Sequence, residues 1–60
     1  MSSRDNLRRA LSAMDDATTA LRRALQSADG SSATYIRRAI SEIEEAESKV
    51  KRAVRELPAD

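Results

Sequence analysis

The side chains in this chain that could do chemistry are carboxylates, guanidiniums, two lysine amines and hydroxyls. There are 10 Asp+Glu and 11 Lys+Arg, with no His and no Cys. Glu44 and Glu47 stand three residues apart, which on a helix puts both carboxylates on one face. Such a pair forms part of the carboxylate sites of di-metal bundles, but those sites also use a Glu-x-x-His element. Without His, neither a metal nor any other cofactor is expected. The hydroxyls of Ser2, Ser31 and Ser32 have no imidazole to activate them, so they read as helix caps rather than nucleophiles. Acid–base groups tuned near neutrality are missing as well, and no enzymatic activity is expected.

The guanidiniums are more organised. Arg8-Arg9, Arg22-Arg23, Arg37-Arg38 and Lys51-Arg52 recur every 14 residues within each half of the chain. On a helix that period is about 21 Å. Asp15-Asp16 and Glu44-Glu45 lie between them, and the net charge is only +1. This alternation describes a solvated, salt-bridged face better than a polyanion site. The candidate contacts for a polyanion are Arg8, Arg9, Arg22 and Arg23.

The elements that carry these groups follow from the breakers. Asp29-Gly30-Ser31-Ser32 lies near the middle and Pro58 near the end; the rest is rich in Ala, Arg, Glu and Leu. Ser2 precedes Asp5 by three residues, as in a capping box. Gly30 suits a left-handed cap, Ser31 or Ser32 could start a second helix, and Pro58 stops it at Leu57. The spacing predicts one domain over residues 1–60: helix 1 over about 3–29, a turn at 30–31 and helix 2 over about 32–57. The longest apolar runs are two residues, so neither a membrane span nor a signal-peptide core is expected, and the cytoplasm is the default location.

Apolar residues recur at alternating steps of four and three. Leu7, Met14, Leu21, Ala28, Ile36, Ile43, Val50 and Leu57 take heptad position d. Leu11, Thr18, Leu25, Ile40, Glu47 and Val54 take position a. LRRAL occurs at 7–11 and 21–25, followed by IRRAI at 36–40 and VKRAV at 50–54. A shift of 29 residues lays Arg9 on Arg38 and Arg23 on Arg52. Those outer-face identities are not required by the seam and favour duplication of one amphipathic helix.

A short turn forces the helices antiparallel. Leu7 then faces Leu57, Met14 faces Val50, Leu21 faces Ile43 and Leu25 faces Ile40. The residue numbers of facing pairs add to a nearly constant value, which centres the turn near residue 32, at the Gly-Ser segment. Thr18 and Glu47 share one polar layer of the seam. At the e positions the same register brings Asp15 toward Lys51, Arg22 toward Glu44 and Asp29 toward Arg37. Each pair is opposite in sign, which favours helix 1 with helix 2 over helix 1 with itself on this flank.

The opposite flank is different. Every g position is Ala: Ala10, Ala17 and Ala24, then Ala39, Ala46 and Ala53. Helix 1 adds Ala13 and Ala20 at c, where helix 2 has Glu42 and Lys49. A hairpin of 60 residues leaves much of its apolar seam in water, and such small chains commonly need a partner. Tyr35, the one aromatic residue, is placed to close the loop end of a bundle.

The expectation is therefore an all-α fold: an antiparallel hairpin of two long helices that dimerises into a four-helix bundle. The Ala flank would be its interface, against helix 1 or helix 2 of the partner. The function expected is a structural, adaptor or chaperone-like interaction module. Two alternatives go with it. One is half of an obligate heteromer with another helical protein. The other rests on architecture: a dimeric antiparallel hairpin resembles the Rop-type plasmid copy-number regulators, which bind paired RNA loops through a helix face. That resemblance implies nucleic-acid binding through the paired arginines, with steep salt dependence.

Overall fold

The computed structural model describes residues 2–58. It contains two helices, α1 (Ser3–Leu25) and α2 (Gly30–Glu56), packed on one another as an antiparallel hairpin. The result is a rod of 46 × 16 × 10 Å with a radius of gyration of 14.2 Å. A compact chain of this length would have a radius of gyration near 10 Å. Two helices side by side cannot enclose a centre, so every layer has one face on the neighbour and the rest in solvent.

The start of α1 follows the capping logic. Ser2 is extended, and its hydroxyl accepts a hydrogen bond from the Asp5 N–H at 3.1 Å. Asp5 in the first turn also suits the positive end of the helix dipole. The far end of α2 stops as proline requires. Leu57 is extended (φ −70°, ψ 142°), because Pro58 disfavours helical backbone in the residue before it.

The middle differs from the expected boundaries. α1 ends at Leu25, not near residue 29, and α2 begins at Gly30, not near 32. Three successive i→i+3 bonds, from the N–H groups of Gln26, Ser27 and Ala28, tighten the chain past Leu25. The Ser27 hydroxyl donates to the Ala24 carbonyl at 3.4 Å, one of the carbonyls that helix continuation would use. Ala28 therefore sits in the connection rather than on a helical seam, although it stays half-buried. Gly30 does adopt the left-handed conformation, with φ +56°, but it opens α2 instead of closing α1. Asp29 (φ −144°, ψ 173°) takes the N-cap position without a side-chain cap bond. Ser31 and Ser32 fall inside the first turn and cap nothing; the early start of α2 has moved the cap upstream of them.

The antiparallel pairing is pinned at two heights. Arg4 Nη2 donates to the Leu57 carbonyl at 3.3 Å, joining the start of α1 to the end of α2. Toward the connection, Arg22 Nη2, in the last turn of α1, meets Glu44 Oε2 at 2.6 Å.

Candidate functional site

The two rows of the seam are not equivalent. Among the described residues four are buried: Thr18, Ala33, Ile40 and Glu47. All four lie in row a, which Ala33 extends one heptad before Ile40, while Leu11, Leu25 and Val54 of the same row are half-buried. Every residue of row d remains half-buried, from Leu7 to Leu57. Row a is thus the better covered of the two rows, and row d lies open beside the Ala flank. The Arg22–Glu44 bridge spans the e side, next to row a, and nothing of comparable length holds the g side, next to row d.

The open face consists of row d with the g alanines beside it. Ala10, Ala17, Ala39 and Ala46 are half-buried, whereas Ala24 and Ala53 are exposed. Ala13 and Ala20 lie at its α1 edge and are also exposed. Tyr35, at the α2 edge, is 66% exposed, so within one chain it closes nothing. The position that encloses the loop end is Ala33, at 5% exposure, which the seam pattern passed over because a methyl group carries little weight in it.

Of the three expected cross-helix ion pairs, only Arg22–Glu44 is present among the described residues. Asp29 has left the helix to become the cap of α2, which removes it from the register that would bring it to Arg37. No Asp15–Lys51 ion pair forms among the described residues; Lys51 instead acts on Glu47, whose pKa it lowers. The neighbouring Asp15 carboxyl is the largest influence on Glu47 and raises its pKa above the ordinary glutamate value. Burial and the Asp15 charge push the same way, and Lys51 opposes them.

Thr18, one turn beyond Asp15 on α1, is 3% exposed, and Glu47 is 8% exposed. The Thr18 hydroxyl donates to the Asp15 carbonyl of its own helix at 3.0 Å, so its need is met locally rather than by Glu47. No buried polar side-chain atom among the described residues lacks a partner.

Arg8, Arg9, Arg22 and Arg23 are all exposed, with Arg22 held by Glu44. Arg4 was not visible as part of the seam, yet it stands one heptad before Leu11, in row a, half-buried and tied to the end of α2. Its charge hid its position. No helix of the described residues is long and apolar enough to cross a membrane.

No protein-family model, curated protein or solved structure matches the chain. The reading of function therefore rests on the open face and on the physics of covering it.

Proposed function

We propose that this chain is a non-enzymatic interaction module whose open face is covered by a second copy, giving a homodimeric four-helix bundle. The observation that carries this reading is the incomplete burial of the seam: the hairpin buries only the middle and loop end of row a and leaves all of row d half in water. The bundle so formed would serve as a structural, adaptor or chaperone-like subunit, presenting its charged outer faces to other components.

The surface area supports it. The chain exposes 4526 Å². A compact monomer of 6.6 kDa would expose about 3,900 Å². The excess, about 600 Å², follows from a rod that encloses no core, and pairing two rods side by side removes surface of the order of a standard interface, roughly 800 Å² per partner. Apolar burial drives such association, and the Ala row lets the two hairpins approach closely.

Sedimentation equilibrium at micromolar concentration tests the reading, with helicity followed in parallel by circular dichroism. The expected result is a helical species of twice the chain mass. A folded helical monomer would overturn the proposal. So would a partly unfolded monomer that folds only on a different helical protein, which would make the chain half of a heteromer.

A further inference from the structure

We infer that the second copy lies antiparallel with α1 on its own counterpart and α2 on its own counterpart, the two connections at opposite ends of the bundle. This inference rests on the homodimer reading and adds the arrangement that composition and periodicity left open.

Two pairings keep every neighbouring helix antiparallel. In one, α1 lies on the partner copy's α1 and α2 on its α2. In the other, α1 lies on the partner copy's α2, with both connections at the same end. They differ in what meets at the edges of the open face. The α1 edge is uncharged: Asn6, Ala13, Ala20 and Ser27. The α2 edge carries Tyr35, Glu42, Lys49 and Glu56. All eight side chains are exposed in the single chain.

With like helices together, α2 reversed on itself brings Glu42 to the partner's Lys49 and Lys49 to the partner's Glu42. Tyr35 comes beside the partner's Glu56, with a phenol to donate to that carboxylate. On the other edge Ala13 meets the partner's Ala20, methyl against methyl. With unlike helices together, the same register sets Lys49 against Ala13 and Glu42 against Ala20. Each charge would then lose water to an alanine and gain no partner, which is the costly outcome.

The position of the symmetry axis agrees. Reversing α1 on itself places Met14 on the partner's Leu21 and puts Ala17 on the axis. Reversing α2 places Ile43 on the partner's Val50 and puts Ala46 on the axis. Ala17 and Ala46 adjoin Thr18 and Glu47, the two buried polar residues midway along the hairpin. A single two-fold axis through that layer therefore serves both helices.

Single cysteines test this, since a disulfide needs Cβ atoms about 3.5–4.5 Å apart. Under mild oxidation by oxidised glutathione, A17C should form a covalent dimer with itself, and A46C likewise. An A17C and A46C mixture should give no 17–46 link. A dimer in which only the mixed link forms would overturn the arrangement while leaving the homodimer standing. A folded monomer would overturn both.

Charge reversal gives a second test that needs no cysteine. E42K and K49E should each dimerise about three- to tenfold more weakly than the original chain, and mixing them equimolar should restore the affinity. Lys49 also pairs with Glu45 at 3.4 Å, but both groups are largely exposed and that pair is weak. Unchanged affinity in both variants would overturn the arrangement.

Discussion

At the scale of single residues, Glu47 is the side chain least at ease in its place. It holds a seam position, is nearly covered, and faces Asp15 across the helix pair. A carboxyl whose folded-state pKa is raised binds its proton more tightly folded than unfolded. Its stabilising contribution is therefore fully present below the unfolded value and is lost as the pH rises through the raised folded value. Lowering the pH from neutrality toward the ordinary glutamate value, about 4.3, should raise the melting temperature of the helical form through this group. Asp15 and Glu44 strengthen the effect and Lys51 weakens it. Glu47→Gln keeps a hydrogen-bonding side chain without the charge. It should melt several degrees higher at neutral pH and lose most of the acid stabilisation. A Gln variant that melts lower at neutral pH, with the acid stabilisation intact, would show that the charge is doing something useful there. Glu47→Leu should likewise melt higher, as expected of a polar seam residue kept at a cost in stability.

At the scale of elements, the connection is the most specific local structure. Gly30 has φ +56°, where a side chain is strained, although an added Cβ would meet no atom within 4 Å. Gly30→Ala should therefore cost only the backbone penalty, about 1–2 kcal/mol, read from chemical denaturation. A neutral result would mean that the start of α2 relaxes to a right-handed conformation. The same segment shows where legibility from sequence ended. Proline fixes one angle of its own backbone and constrains its neighbour, so the stop at Leu57 could be read off directly. Gly30 announces a left-handed residue but not which helix it belongs to. That depends on how many residues the chain needs to reverse direction, and the Ser27 hydroxyl takes part in deciding it. Periodicity likewise named nearly all of the seam, yet it treated rows a and d as equals. What separates them, buried residues in row a and none in row d, is a property of the packed pair.

At the scale of the whole molecule, the hairpin is a rod with no wholly enclosed side chain among the described residues. If the open face is covered by a second copy, unfolding and dissociation are one equilibrium. A tenfold rise in protein concentration then adds about 1.4 kcal/mol per mole of dimer to stability. For a chain this small the melting midpoint should climb by several degrees per decade of concentration. A midpoint independent of concentration would mean that the hairpin is stable alone. The half-buried d row has one more consequence. Dilution exposes Leu, Ile and Val to proteases as well as to water, so the survival time of each chain would depend on how many copies share its surroundings. A protein built this way would be kept by its own abundance and cleared when it becomes scarce.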